Sequence, residues 1–278
     1  MEEKTKPQAR TRDLGKESIP KLLAQLAIPV VVAQIVNLLY NIVDRIYIGH
    51  IPGIGAAALT GVGLFAPILM LINAFAMLSG SGGAPRAAIF MGKKDNETAE
   101  KIMANCFSLI LIFAIGLTIL FSIFAPKLLI LFGASDATLP YAVEYARIYI
   151  FGSIFVLIVL GMNLFITTQG FSKISMMTTL IGAVINVILD PIFIFVFGLG
   201  ITGAATATII SQVLSALFVF YFLHQKADLK VRLLHLDEIP SCIGHAGNII
   251  GLGTVSFMMQ LTSSLVNICC NSVLSATG

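Results

Sequence analysis

Charge is what this sequence has least of. Of its 278 residues only 11% are charged while 57% are hydrophobic, and the mean hydropathy is +0.95. A soluble domain carries roughly 25% charged residues, so the composition excludes an ordinary water-facing globule. Tryptophan is absent, and cysteine and histidine number four each. Cys106, Cys269 and Cys270 lie in apolar runs and Cys242 in a polar one, with neither zinc-site spacing nor the pattern of a disulfide framework. They read as small apolar residues. His50, His224, His235 and His245 all fall in connecting segments. They form no constellation for acid–base or nucleophilic work, and no enzyme is expected. Nor do the basic residues read as a nucleic-acid surface, because acids are interspersed among them and they follow alternate loops.

What the chain has instead is long apolar runs. Seven stretches, at 22–49, 56–83, 102–125, 146–168, 174–197, 201–223 and 249 onward, reach the roughly 20 residues that a helix needs to cross a bilayer. Barrel strands are shorter and alternate in polarity, so the expected class is an all-α polytopic membrane protein. Residues 1–21 are polar and of mixed charge, and the run that follows is too long for a signal peptide. Fourteen Lys and Arg residues lie in this tail and the even-numbered loops. Only Arg45, Lys127 and Arg147, three in all, fall near the odd loops. This asymmetry predicts a cytoplasmic N-terminus in a multi-pass protein of the cell membrane.

The runs divide the chain into a tail (1–21), six closely spaced spans (22–223), a polar cytoplasmic loop (224–248) and a seventh run (249–278). Shifting the sequence by 226 positions lays Gln34 on Gln260 and Asn41 on Asn267, while Asp44 falls on Cys270. The expectation is one lobe plus the incomplete first helix of a second, since many transporters join two repeats around a midplane site. A truncation, a fragment and a half-transporter that pairs with a dimer partner all fit this division.

Intramembrane polar residues are costly and commonly functional. In the first run Gln34, Asn37, Asn41 and Asp44 recur at a period near 3.5, which predicts one face turned toward protein or a water-filled cavity. Pro29 removes a backbone donor and invites a bend. Arg45 adjoins Asp44, but neighbouring helical residues point in different directions. In "INVILDPIFIFVFG", Asn186 and Asp190 share a face one turn apart, and Pro191 loosens the helix beside them. Carboxylate and amide oxygens suit a small hard cation, and a carboxyl taken out of water holds its proton more tightly. Helix glue is the plainer role for the amides, and Asn163 and Thr208 alone read as packing. "SGSGGAPRAAIFMGKKDNETAEK" lacks the GxxxxGK[ST] order of a phosphate loop, and its small residues suit close helix contact.

"LAIPVVVAQIVNLLYNIVDRIYIGHI", "MGKKDNETAEK" and "INVILDPIFIFVFGLGITGAATATIISQ" resemble the multidrug and toxic compound extrusion (MATE) family over essentially the whole chain. The resemblance implies a twelve-helix, pseudo-twofold fold of two six-helix lobes, of which this chain holds the first. It implies an antiporter exporting organic cations or amphipathic drugs and toxins in exchange for H⁺ or Na⁺, with no other cofactor. Motif by motif it assigns the coupling-ion site to Asp44, Asn163, Asn186, Asp190 and Thr208, with Asp44, Asn186, Asp190 and Thr208 as ligands where the ion is sodium. Gln34, Asn37 and Asn41 are expected in the substrate cavity, and Pro29 at the bend. Lipid-linked saccharide flippases of the same architecture, and a truncated membrane partner that transports nothing, are the alternatives. A shared cation site further requires the carboxyls of Asp44 and Asp190 to lie within about 12 Å of each other.

Overall fold

The computed structural model describes residues 19–232 and 239–277. Seven α-helices account for nearly all of them: α1 (Ile19–Gly49), α2 (Gly55–Gly92), α3 (Asn96–Leu131), α4 (Leu139–Thr168), α5 (Ser172–Pro191), α6 (Gly200–Gln225) and α7 (Ile239–Thr277). There is no strand among the described residues, and all seven helices are long and apolar enough to cross a membrane. A chain in hydrocarbon must satisfy its backbone internally, and a continuous helix does so.

The helices outrun the apolar windows that reveal them. With 38 residues, α2 is about 57 Å long at 1.5 Å per residue, well beyond a ~30 Å hydrocarbon layer. Its glycine-rich end continues as helix to Gly92. Asp95 caps α3, its side chain accepting from the Thr98 N–H at 3.1 Å. The seventh helix begins at Ile239 rather than 249, so much of the segment expected as a loop is helical. Its Pro240 suits a first turn, where a missing donor costs no bond. At the far end of α5, Pro191 ends the α-helical bonding and a π-helical turn follows over Ile192–Val196, where a single helix to 197 was expected. Gly198 and Gly200, both with positive φ, then turn the chain into α6.

Helices α2 and α4 form the centre. Around them α2 packs on α3 and α7, α4 packs on α3 and α6, and α1 lies mainly along α5. Between helices in lipid no hydrophobic force acts, so close approach has to come from small residues. A Cβ on Gly80 would press on the backbone of Gly161, one on Gly82 would overlap the Ile249 carbonyl, and one on Gly253 would overlap that of Leu78. Gly82 and Gly253 therefore make the α2–α7 seam a backbone-to-backbone contact. Outward-facing isoleucines, among them Ile112, Ile119 and Ile123, present the lipid-facing surface.

The segment following α6 folds back onto the lobe. Leu229 is fully buried, and its N–H donates to Gln169 Oε1 at 2.9 Å, while Lys230 N–H donates to Glu100 Oε1 at 3.0 Å. Gln169 completes the clasp by donating from Nε2 to the Phe165 carbonyl at 3.1 Å.

Candidate functional site

The packing of α1 along α5 carries Asp44 to Asp190. Asp190 is wholly buried, Asn186 nearly so, and Asp44 is 8% exposed. The two carboxyl groups lie within hydrogen-bonding reach of each other. Asn186 Nδ2 donates to Asp190 Oδ1 at 3.1 Å and to Thr208 Oγ1 at 3.3 Å, drawing α6 into the cluster. Thr208 spends its own proton on the Ala204 carbonyl at 3.0 Å, so toward the cluster it can only accept.

The cluster therefore has more acceptors than donors. Asp44 Oδ1, Asn186 Oδ1 and Asp190 Oδ2 are buried and meet no donor among the described residues. Buried oxygens in that position call for a positive charge or a proton. A proton between the two carboxyls supplies one donor. A small cation would find carboxylate, amide and hydroxyl oxygens, the hard ligand set such ions take.

Four of the five residues expected at the ion site are thus together: Asp44, Asn186, Asp190 and Thr208. Asn163 is not. Its Nδ2 donates to the Ser175 carbonyl at 3.3 Å, and Ser175 lies at the opposite end of α5 from Asp190, roughly 22 Å away along the axis. Asn163 Oδ1, in a separate location, is buried without a donor among the described residues.

The polar face of α1 also divides. Ten residues of ideal helix leave Asp44 about 80° behind Gln34, and that phase difference turns Asp44 into the lobe while Gln34 stays exposed. Gln34, Asn37 and Asn41 line an open groove of about 450 Å³ with Leu38, Ile42 and Arg45. Asn41 donates to the Asn37 carbonyl and to its Oδ1, at 2.7 and 2.8 Å. Arg45 lines this groove and is still close enough for its charge to act on Asp44. Pro29 is buried, and α1 runs on through it without interruption.

Three phenols that the sequence reading passed over stand near the acids. Tyr40 on α1 and Tyr145 and Tyr149 on α4 are close enough to feel the charge of Asp44. Tyr145 and Tyr149 stack with centroids 6.0 Å apart, and Phe65 meets both edge-on at 5.6 and 5.5 Å. The signal was there: Tyr40 precedes Asp44 by one helical turn, and Tyr145 and Tyr149 are one turn apart in an apolar run.

Known proteins share this fold. The chain is 25% identical over 264 residues to the multidrug export protein MepA of Staphylococcus haemolyticus, and 26% identical over 266 residues to that of Staphylococcus saprophyticus. In both cases the match covers 95% of this chain and 57% of the relative, so the chain spans little more than half the length of these proteins. Among solved structures, a MOP superfamily transporter from Pyrococcus furiosus superposes with a TM-score of 0.83 at 30% identity, over 94% of this chain and 57% of that one. A MATE transporter in a bent conformation gives 0.82 at 31% identity, over 93% and 57%. The MatE family pattern matches residues 29–192, more than half of the sequence, and the chain belongs to the MatE family of membrane transporters.

Proposed function

We propose that this chain forms the ion-coupling lobe of a multidrug antiporter, exporting organic cations or other amphipathic compounds in exchange for H⁺ or Na⁺. The observation that carries the reading is the buried pair Asp44 and Asp190, joined by Asn186 and Thr208 in a cluster short of donors. Two carboxylates side by side in a low-dielectric lobe repel, so neutralisation by a proton or a sodium ion stabilises the closed cluster. Loss of that ion would push α1 and α5 apart, and α1 is the element free to respond, being mostly exposed and carrying Pro29. The groove of Gln34, Asn37 and Asn41 on the outer face of α1 would then change shape with the ion, which links drug release to ion binding. The MepA relatives are named as multidrug export proteins, which supports the substrate class. The Lys and Arg asymmetry supports a cytoplasmic N-terminus in the cell membrane.

The test is transport by the complete two-lobe protein in proteoliposomes loaded with a fluorescent lipophilic cation. An imposed inward gradient of H⁺ or of Na⁺ should drive export, and dissipating it should stop export. Export that ignores both gradients would overturn the coupling.

A further inference from the structure

Helices α1 and α5 run parallel and are pinned to each other at two places. Near their C-terminal ends the pin is Asp44 against Asp190. At the other end the Ser172 hydroxyl, on the first turn of α5, donates to the Gln25 carbonyl of α1 at 3.2 Å. The pins are in one register, nineteen residues apart on α1 and eighteen on α5, about 28 and 27 Å of helix. The second pin answers a defect in α1. In an unbroken helix the Gln25 carbonyl accepts from the N–H four residues on, but that residue is Pro29, which has none. Ser172 supplies a donor in its place. Its own helix starts at Phe171 with no side-chain cap, so a buried first-turn hydroxyl is spent on α1 rather than on α5.

Hydroxyls between spans often only hold helices together. That role leaves unexplained why this one meets the carbonyl of α1 that a proline deprives of its helical donor. We propose that Ser172 is the pivot of α1, a positioning residue for ion coupling; the inference rests on the coupling role of the acid pair. The two pins differ in kind. Asp44 against Asp190 depends on charge, whereas Ser172 to Gln25 joins neutral groups and is indifferent to the ion. When the acids repel, the start of α1 stays on α5 and the segment from Pro29 to Asp44 swings. The state of the ion then becomes a bend at Pro29, where the helix lacks a bond, instead of a shift of the whole of α1.

Spin labels on the full chain, its native cysteines replaced by alanine, report the swing. A label at Leu39→Cys, ten residues beyond Pro29, or at Leu23→Cys, before it, is paired with one at Ile119→Cys on α3; all three side chains are exposed. Between acid buffer, which neutralises the pair, and alkaline buffer, which charges it, the Leu39 distance should change by about 5 Å and the Leu23 distance by less than about 2 Å. Asp190→Asn should abolish the change, which assigns it to the acids rather than to Tyr40, Tyr145, Tyr149 or Arg45 nearby. In Ser172→Ala the Leu23 label should move as far as the Leu39 label, and Ser172→Thr should hold it still. Ser172→Ala should also lower the melting temperature by about 2 °C, but not in a Pro29→Ala background, where the restored N–H serves the Gln25 carbonyl. A Leu23 label that stays still in Ser172→Ala, a swing that persists in Asp190→Asn, or equal melting losses in both backgrounds would overturn the pivot. Labels that never move would also overturn it, yet leave the coupling standing if export still follows an ion gradient. Export that ignores both gradients sinks the coupling, and the pivot with it.

Discussion

Asp44 on α1 and Asp190 on α5 bring their carboxyl groups within reach of a single hydrogen bond, deep inside a helical lobe. Such a bond exists only while one of them carries a proton. If both ionise, two like charges face each other inside the lobe, and Arg45 is the cation whose charge reaches Asp44. The pair is therefore an element with two electrostatic states, and α1 against α5 is the joint between them.

Replacing either acid with Asn should remove the switch without loosening the lobe. Asp44→Asn and Asp190→Asn keep the size of the side chain and end the repulsion. Export should fall at least about a hundredfold, the loss of a charge that the reaction cycle needs, while the melting temperature stays the same or rises. Wild-type export by the Asp190→Asn protein at normal expression would make the residue purely structural.

The neutral oxygens should discriminate between ions. Sodium needs several oxygen ligands, whereas a proton needs one carboxyl. Asn186→Ala and Thr208→Ala should therefore weaken sodium binding by about tenfold or more and leave proton uptake within about threefold. Calorimetric titration with sodium, beside proton uptake followed by a pH dye, separates the two. Equal losses would mean that Asn186 and Thr208 only shape the cluster.

The glycine seam should tolerate no methyl group. At Gly82 a Cβ would run into the Ile249 backbone, whereas at Gly63, on the same helix, nothing stands within 4 Å. Gly82→Ala should destabilise the protein by about 1–3 kcal/mol through overpacking, and Gly63→Ala should be neutral or slightly stabilising. Thermal unfolding in detergent measures both. Matching melting temperatures would mean that α7 shifts at little cost.

Gln169 should control the segment after α6. Gln169→Leu leaves the buried Leu229 N–H without its acceptor, at a cost of about 1–3 kcal/mol. Hydrogen exchange at Leu229 and Lys230 should accelerate in this variant while exchange in α2 and α4 stays slow. Unchanged exchange would assign the fold-back to apolar burial of Leu229 alone.

Topology has its own check. Lys230 is exposed on the clasped segment, which the charge asymmetry assigns to the cytoplasm. A Lys230→Cys protein should resist a membrane-impermeant thiol reagent in whole cells and react after the membrane is opened. Labelling in intact cells would invert the orientation.

The membrane class, the number of apolar spans and the two acids that the fold brings together were all legible in the residues. Hydropathy is a local property of composition, and Asp44 and Asp190 stand out because a carboxylate in an apolar run is expensive wherever the helix ends up. Spacing within one helix also determined that Asn186 and Asp190 meet, because a separation of four residues places side chains on one face. It could not decide which face of α1 turns inward. Asp44 parts from Gln34 because ten residues accumulate a phase difference that only the packing against α5 resolves. Asn163 was assigned to the site by the family resemblance alone, and the antiparallel run of α4 against α5 places it beside Ser175, at the end far from Asp190. Tyr145 and Tyr149 come near Asp44 only through the tertiary packing of α4 in the lobe. The clasp by Gln169 joins residues sixty positions apart, a contact that no local pattern encodes. Local composition determined what each helix is and which of its residues are costly; the phase and direction in which the helices pack decided which of those residues share a site.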